Sequence, residues 1–175
     1  MDNKPLISVV MGVYNIGSRD MLERAVVSVL NQTIDDFEFI ICDDASTDKT
    51  YKWLCELAKN DKRIRLLRNE KNYTLAITLN RCIYHSHGKY IARQDADDIS
   101  EPERFEKQIR FLEQNPHISF VGSNCYLYNE REGRFSSRIM PEFPDRNDFM
   151  FNSPFIHGSI IFRRECFNSY SYEVS

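Results

Sequence analysis

Three aspartates within four residues form the densest group of potential ligands in the sequence. Asp95, Asp97 and Asp98 follow a short segment, Tyr90 to Arg93, whose composition predicts a buried strand. Burying an unpaired carboxylate costs on the order of several kcal/mol, so such a group normally lies at a surface, binds a cation or caps a helix. Carboxylate oxygens clustered at the carboxyl end of a strand favour a divalent cation, which in turn can hold phosphate.

Helix capping explains only part of this acidic cluster. Ser100 and Glu103 have the spacing of a capping box, and Pro102 suits the first turn of a helix because its missing N–H is not needed there. We therefore predict a helix that begins at Ser100 with its own cap. The aspartates are then left either as ligands or as part of a solvated loop.

Two more polar groups follow predicted strands nearer the N-terminus. Tyr14 comes after the apolar run of residues 6–13, and Asp43 and Asp44 come after residues 37–42. In a doubly wound sheet, ligands bind outside the carboxyl ends of the strands, so all three polar groups are expected at one site. For Asp43 and Asp44 alone, an acidic turn that caps the next helix is an equal alternative.

The predicted strands and helices that would position these groups alternate along the chain as far as residue 122. This alternation predicts an α/β fold, a three-layer α/β/α sandwich with a mainly parallel central sheet and right-handed crossovers. The second helix can take its N-cap from Ser46, Thr47 or Asp48. Apolar periodicity assigns the strands to residues 6–13, 37–42, 63–68, 90–93 and 118–122, and the helices to residues 21–30, 51–58, 75–83 and 105–112.

The pattern changes after residue 123. Residues 126–128 and 135–140 predict a hairpin, and residues 143–152 show no clear period. Residues 155–162 predict a further strand that contains His157. A single histidine beside a glycine is more often a hydrogen-bonded structural residue than a ligand or an acid, and both readings of His157 stay open.

Composition and charge limit the class of protein. With 175 residues, 42% of them hydrophobic, we expect one domain covering residues 1–175. The net charge of −3, with acidic and basic residues interspersed, argues against nucleic acid as a partner. No segment approaches the ~18 apolar residues that span a bilayer. The five cysteines lack a CxxC pair, so we expect reduced thiols in a cytoplasmic protein, with peripheral association at the inner face of a membrane still open.

Several common enzyme motifs are missing. The first predicted strand is not followed by GxGxxG, which argues against a dehydrogenase. The sequence contains no GxxxxGK[ST] and no GxSxG, which argues against P-loop NTPases and acyl-transfer hydrolases.

At this point the sequence resembles a known family. From Ile7 to about Glu165 it is similar to the N-terminal half of family 2 glycosyltransferases with the GT-A fold. The resemblance is carried, in order, by SVVMGVYN, SVLNQT, FEFIICDDASTDKT, GKYIARQDADD, SEPERFEKQIRFL, FVGSN and FIHGSIIFRRE. It implies transfer of a sugar from a nucleoside diphosphate sugar to an acceptor hydroxyl, usually with inversion and with a divalent cation.

The resemblance also implies a nucleotide site. Gly12, Val13 and Tyr14 would border the nucleotide, and Asp44 would take the base with Asp43 nearby. A carboxylate there can accept a hydrogen bond from the N–H of uracil or guanine, which an apolar slot cannot do. A UDP-sugar is the favoured donor, and a glycan or lipid-linked acceptor in cell-surface polysaccharide or glycolipid synthesis is the expected partner.

The metal and acceptor residues are implied in the same way. Asp95 would face the ribose and the metal, Asp97 would be the direct ligand of Mn²⁺ or Mg²⁺, and Asp98 is expected in the turn behind them. His157 falls at the acceptor-side loop of the family. These oxygen ligands suit either cation.

An inverting transfer also needs a carboxylate base to take the proton of the acceptor. In the family this base lies downstream of the matched region, so we expect it beyond Ser175, and Glu173 is not assigned to the role. Two alternatives remain: a binding module that holds a nucleotide sugar without catalysis, and a phosphatase with an Asp nucleophile. The phosphatase is less favoured, because that chemistry normally places its Asp motif on the first strand of the domain.

Overall fold

The computed structural model describes residues 4–129, 131–151, 153–168 and 171–172. Glu173 and Ser175 lie outside the described residues. Among those described, no helix combines the length and the apolarity needed to cross a membrane. The elements in chain order are β1 (Ile7–Val13), α1 (Arg19–Leu30), β2 (Phe37–Asp43), α2 (Thr50–Asn60), β3 (Ile64–Arg68), α3 (Thr74–Tyr84), β4 (Tyr90–Arg93), α4 (Arg104–Gln114), β5 (Phe120–Val121), β6 (Cys125–Asn129), β7 (Arg134–Arg138), α5 (Asp148–Phe151), a 3₁₀ turn (His157–Ser159), β8 (Ile161–Arg163) and a second 3₁₀ segment (Arg164–Asn168).

Six strands form the central sheet in the order β3-β2-β1-β4-β8-β5. β1 pairs in parallel with β2 and with β4, and β2 pairs in parallel with β3. β8 is antiparallel to both of its neighbours, so five strands run in one direction and β8 opposes them. The predicted mainly parallel α/β sheet is therefore confirmed.

The register brings the predicted polar groups to one edge of this sheet. Ile7 lies beside both Phe37 and Tyr90, so β1, β2 and β4 start level with one another. Because these strands are parallel, their carboxyl ends also meet at a common edge. The acidic residues that follow β2 and β4 lie at that edge.

Helices cover both faces of the sheet. On one face, α1, α2 and α4 bury Leu22, Leu54 and Phe105 against the strands. On the other face, α3 buries Leu79 and Cys82 against β1, β2 and β4. Burying a large apolar side chain stabilises the fold by roughly 1.5–3 kcal/mol, so these two clusters hold the three layers together.

The predicted cap of α4 is wrong. Glu103 occupies the N-cap position, and its side chain makes no capping hydrogen bond. Ser100 turns inward, where its hydroxyl donates to Gln94 Oε1 at 2.6 Å and its backbone N–H donates to Ser28 Oγ at 3.0 Å. The physical reason is that the carbonyl oxygen of the buried Gln94 amide needs donors, and Ser100 supplies one.

Of the three predicted caps of α2, the structure supports Asp48. The helix begins at Thr50, and although Lys49 holds the N-cap position without a capping side chain, Asp48 Oδ1 accepts the N–H of Thr50 at 2.9 Å. Ser46 Oγ instead accepts the N–H of Asn15 at 3.0 Å, so Ser46 binds the loop after β1.

The structure shortens two predicted strands. Residues 118–122 contribute only Phe120–Val121, and residues 155–162 contain a 3₁₀ turn before the strand Ile161–Arg163. The turn is closed by the N–H of Ser159, which donates to the carbonyl of Ile156 at 2.9 Å. An extended chain would carry residues 157 and 158 past the acidic cluster, whereas the turn places Gly158 against it.

The predicted hairpin is present as β6 and β7, which pair antiparallel. Tyr126, Tyr128 and Phe135 lie on one face of this hairpin and are largely exposed. A shallow depression of about 540 Å³ on the hairpin is lined by Leu127, Tyr128, Asn129, Arg131 and Ser136. It contains none of the predicted site residues. Within residues 143–152, which showed no clear period in the sequence, the structure forms the single-turn helix α5 (Asp148–Phe151).

Candidate functional site

The end of β1 is built for close approach of a helix. A Cβ atom on Gly12 would lie 2.9 Å from Leu75 Cδ1 and 3.2 Å from Thr78 Cγ2, so a larger residue would force these side chains of α3 to shift. The side chain of Val13 belongs to the core on the opposite face, while Tyr14 is 48% exposed. Of these three residues, Tyr14 therefore presents a side chain to solvent, and Gly12 and Val13 offer mainly backbone.

Asn15 joins the loops that follow β1 and β2. Its backbone adopts a left-handed conformation with φ of 44°, which asparagine tolerates better than most residues. In that conformation its Oδ1 accepts the N–H of Thr47 at 2.9 Å. The loops are held as one unit, which fixes the position of the acidic pair between them.

The two aspartates at the end of β2 have different surroundings. Asp43 is fully buried, and its Oδ2 contacts Arg68 Nε at 3.2 Å and accepts the N–H of Ser46 at 3.2 Å. Arg68 stacks over the ring of Tyr51 in α2. Asp43 therefore ties the end of β2 to β3 and to α2.

Asp44 faces α3 instead. It is 3% exposed, and its Oδ1 accepts hydrogen bonds from Asn69 Nδ2 at 2.7 Å and from the N–H of Tyr73 at 2.9 Å. No donor of the described chain contacts its Oδ2. A fixed carboxylate with one open oxygen can accept an N–H from a bound ligand.

The acidic loop after β4 is wrapped around a buried amide. Gln94 donates through Nε2 to the carbonyls of Asp95 and Asp98, at 3.1 and 2.8 Å. The buried Arg93 donates to Asp95 Oδ1 at 2.6 Å. Asp97 is exposed, whereas Asp95 is partly covered. The buried side chains of Arg93 and Gln94 thus fix the conformation of a loop that presents the carboxylates of Asp95 and Asp97.

Asp98 closes the turn behind these carboxylates. Its N–H approaches the carbonyl of Asp95 at 3.4 Å. The pKa of Asp98 is raised because it is partly desolvated and because Asp95 and Asp97 place negative charge beside it. Mutual repulsion of this kind is relieved when a cation binds between the carboxylates.

The 3₁₀ turn lies directly against the acidic loop. A Cβ on Gly158 would lie 2.6 Å from Asp95 Oδ2 and 2.8 Å from Asp98 Oδ2, so only glycine fits there without displacing a carboxylate. The buried Arg104 donates to the carbonyl of Gly158 and to that of Arg93, each at 3.0 Å. Burial lowers the pKa of Arg104 to about 10, although the negative charge of Asp98 acts to raise it. Arg104 therefore stays charged at neutral pH and ties the turn to the end of β4.

His157 begins the same turn and meets the last described residues of the chain. Its Nε2 lies 3.3 Å from the hydroxyl of Tyr172. The pKa of His157 is lowered by desolvation and then by the positive charge of Arg93, with Asp95 acting in the opposite direction. Tyr172 is held by two hydrogen bonds with the side chain of Asn80 in α3, each 2.9 Å. His157 is therefore near the acidic loop and is also part of a structural contact.

The residues suit a metal only if a ligand helps to hold it. No group of three or more His, Cys, Asp or Glu side chains in the described parts of the chain is arranged to hold an ion by itself. Asp95 and Asp97 supply hard carboxylate oxygens, the donor type that Mg²⁺ and Mn²⁺ prefer. Such ions commonly combine one or two carboxylates with phosphate oxygens and water, so this donor set fits a metal bound together with a diphosphate.

Sequence reasoning missed four residues of this site. Asn69, Arg104, Gly158 and Tyr172 act through partners far away in the chain, and none carries a local motif. The sequence drew attention to the histidine of the HGS segment, but it is the absence of a side chain at Gly158 that leaves room for the carboxylate of Asp95. Arg104 could have been suspected because it falls in the apolar stripe of α4, where it is buried beside Phe105.

Comparison with known proteins agrees with the fold. Residues 8–171 match the family described as Glycosyl transferase family 2. EpsE of Bacillus subtilis (strain 168), which is named as a glycosyltransferase, is 39% identical over 170 residues. The match covers 97% of this chain and 60% of EpsE.

Two solved structures share the fold at low sequence identity. The mannosyltransferase PcManGT from Pyrobaculum calidifontis, in complex with GDP-Man and Mn²⁺, has a TM-score of 0.70 at 18% identity, over 95% of this chain and 47% of its own. S. aureus TarS 1-349 in complex with UDP has a TM-score of 0.72 at 19% identity, over 93% of this chain and 48% of its own. The predicted GT-A fold is confirmed by these likenesses.

The chain spans about half to 60% of the length of these proteins. The family match nevertheless covers nearly all of the sequence given, and the identity with EpsE is well above the level of chance resemblance. The chain belongs to glycosyl transferase family 2.

Proposed function

We propose that this chain is the donor-binding domain of a glycosyltransferase that moves a sugar from a nucleoside diphosphate sugar to an acceptor hydroxyl. The single observation that supports it most is the meeting of Asp44 and of the Asp95–Asp97 loop at the carboxyl edge of one parallel sheet. Diphosphate nucleotides bind at such edges. The proposal treats residues 1–175 as one domain.

The nucleotide half of the site would use the β2 end. The open Oδ2 of Asp44 would accept an N–H of the base, and the backbone of Gly12 and Val13 would border the nucleotide. Tyr14, which is exposed, would cover it from the solvent side. Asp43 would lie nearby, with its Oδ2 held by Arg68 and Ser46 and its buried Oδ1 without a hydrogen-bond partner in the described parts of the chain. A uridine diphosphate sugar is the favoured donor.

The phosphate half of the site would use the β4 end. Asp97, which is exposed, would bind Mn²⁺ or Mg²⁺ directly, and Asp95 would bind both the metal and the ribose. When bound, the cation neutralises charge on the departing diphosphate. Arg93 and Gly158 would keep the Asp95 carboxylate in position, since one donates to it and the other leaves room for it.

The sugar acceptor would approach from the side of His157. A reaction with inversion needs a base opposite the leaving group, and we propose that it lies beyond Ser175, in the part of the enzyme that the longer relatives contain. The acceptor would be a glycan or lipid-linked sugar of a cell-surface polymer or glycolipid. The proposal places the reaction in the cytoplasm, at the inner face of the membrane.

Metal-dependent nucleotide binding tests the proposal. We expect UDP to bind in isothermal titration calorimetry with Mn²⁺ present, and to bind at least roughly tenfold more weakly to Asp97→Ala, because one direct metal ligand is lost. Asp97 is exposed, so the free energy of unfolding should change by less than about 0.5 kcal/mol.

The matched control is Asp36→Ala, which removes an exposed carboxylate outside the site. It should bind UDP like the wild-type chain. If UDP, GDP and dTDP all bind no better than millimolar, or if Asp97→Ala leaves the metal dependence intact, the proposed function is wrong.

A further inference from the structure

The β6–β7 hairpin is exposed on both of its faces. All five residues of β7 and four of the five residues of β6 are exposed, so the rest of the described chain covers neither face. A two-stranded hairpin by itself is marginally stable in water, and this one also exposes large aromatic side chains. Exposed apolar side chains that are grouped in this way are typical of a binding surface.

The aromatic side chains all lie on one face. Tyr126 pairs with Ser137 and Tyr128 pairs with Phe135, and directly paired residues of antiparallel strands share a face. Tyr126 and Phe135 are each 72% exposed, and Tyr128 is 55% exposed. Within the two strands, these four residues form an aromatic face without charge, because the arginines of β7 fall on the opposite face.

The hairpin begins beside the candidate site. β5 and β4 are both antiparallel to β8, so the chain leaves β5 at the same edge as the acidic loop. There the N–H of Ser123 donates at 3.0 Å to Ser159 Oγ, in the 3₁₀ turn that packs against the acidic loop. Asn124 Oδ1 accepts the N–H of Met140 at 2.8 Å and ties the two ends of the hairpin together. Tyr126 is three residues beyond Ser123, so their Cα atoms are at most about 11 Å apart.

The chemistry of the aromatic face fits a neutral sugar chain. One side of a pyranose ring presents C–H groups with partial positive charge, which suit the negative face of an aromatic ring, while its hydroxyls stay at the rim. An anionic membrane surface would favour cationic side chains beside the rings, and here these lie on the opposite face.

The size of the aromatic face also limits its partner. Three aromatic side chains of roughly 150–250 Å² each, about two-thirds exposed, offer on the order of 300–500 Å². A stable protein interface buries ~800 Å² on each partner, so this face is too small to hold a second protein by itself. A few sugar units need no larger surface.

We propose that the aromatic face of the β6–β7 hairpin binds the sugar chain of the acceptor. This inference rests on the proposed function, which places the growing end of the acceptor at the acidic loop and leaves the rest of its chain to run over the neighbouring surface. The ring centroids of Tyr128 and Phe135 are 4.7 Å apart and the rings are tilted by 37°, so they form one platform. Tyr126, about 7 Å further along the strand, forms a second platform for another sugar unit.

Titration with neutral hexasaccharides tests the proposal. The probes are maltohexaose, chitohexaose and mannohexaose, and calorimetry on the whole chain measures their dissociation constants. We expect at least one of them to bind with a dissociation constant of roughly 1 mM or lower. Tyr126→Ser should weaken that binding roughly tenfold because a stacked ring is lost, whereas Tyr126→Phe keeps the ring and should bind like the wild-type chain.

Two exposed residues provide matched controls. Leu127→Ser changes an apolar residue on the opposite face of the same hairpin, and Tyr84→Ser removes an aromatic ring at the end of α3. Both variants should keep the wild-type affinity for the hexasaccharide. Tyr126→Ser should also keep the wild-type affinity for UDP with Mn²⁺, because Tyr126 lies outside the nucleotide site.

The remaining outcomes separate this inference from the alternatives. Failure of all three hexasaccharides to bind, or an equal loss in Leu127→Ser, would overturn the inference and leave the proposed function intact. So would phosphatidylglycerol vesicles, or a dimer seen in sedimentation velocity, if either bound the wild-type chain through Tyr126 while the sugars did not bind. Sugar binding without any binding of UDP, GDP or dTDP would overturn the proposed function, and with it the identification of the sugar as an acceptor.

Discussion

Asp95 lies in a slot between Arg93, two residues before it, and Gly158, which is far away in the chain. Arg93 donates to one of its oxygens, and Gly158 lies beside the other. A carboxylate confined in this way keeps one orientation before any ligand arrives. Preorganised ligands of this kind lower the entropy cost of binding a metal and a nucleotide.

Gly158→Ala tests this slot. The added Cβ would lie 2.6 Å from Asp95 Oδ2, which is closer than atoms can approach, so a carboxylate must move. We expect a loss of about 1–3 kcal/mol in the free energy of unfolding and weaker Mn²⁺-dependent binding of UDP. Urea denaturation and titration calorimetry measure the two effects.

Gly122→Ala is the matched control for that substitution. Its Cβ would make ordinary contacts at 3.5 Å with Phe155 and Ser159, so we expect a change below about 1 kcal/mol and unaltered binding. Equal binding of UDP by Gly158→Ala and wild type would show that the slot does not position Asp95.

Residue type and spacing drew attention to the carboxylates after two apolar strands, namely the pair Asp43 and Asp44 and the cluster of Asp95, Asp97 and Asp98, while the individual roles came from the family resemblance. The same reasoning could not separate the role of Asp43 from that of Asp44. Their difference depends on Arg68 and Asn69, which lie more than twenty residues away in the chain and carry no local signal. Long-range partners of single side chains are the part of a site that one sequence does not display.

At the scale of elements, α4 and the 3₁₀ turn are joined through Arg104. Its guanidinium holds the carbonyls of Arg93 and Gly158 and also reaches Gln94 Oε1 at 3.3 Å. A buried cation that satisfies three acceptors on two segments makes those segments move together. The acidic loop and the turn of His157 are therefore expected to respond as one unit when a ligand binds.

Arg104→Met tests this connection. The substitution keeps the apolar bulk but leaves buried carbonyls without donors, so we expect the free energy of unfolding to fall by roughly 2–4 kcal/mol. Arg110→Met, on the same helix, removes only an exposed pair with Glu106 and should change it by less than about 0.5 kcal/mol. Urea denaturation of both variants decides: equal stability would mean that Arg104 does not hold the two segments.

The errors in the predicted elements share one cause. Ser100 has the spacing of a cap, but a buried amide at Gln94 competes for its hydroxyl, and the tertiary contact prevails over the local pattern. Residues 155–162 have the composition of a strand, yet Gly158 is drawn into a turn against the acidic loop. Strands and helices with strong apolar periods were predicted within a few residues, because their burial does not depend on one particular partner.

At the scale of the whole molecule, apolar runs and their alternation determine the layers and the parallel part of the sheet. They could not reveal that β8 enters between β4 and β5 in the opposite direction. That reversal matters, because it brings the turn of Gly158 to the same edge as the acidic loop. The edge therefore joins a first part of the chain, built from alternating strands and helices, to a later segment with a different pattern.

The central claim is that the carboxyl edge of the sheet binds a nucleoside diphosphate with a metal. A crystal structure of the chain with UDP and Mn²⁺, with anomalous diffraction data, tests it most directly. The account predicts an anomalous peak at Asp97 and Asp95, and uracil N3 about 3 Å from Asp44 Oδ2, the length of an ordinary hydrogen bond. UDP bound on the β6–β7 hairpin, or a metal peak away from the two aspartates, would contradict it.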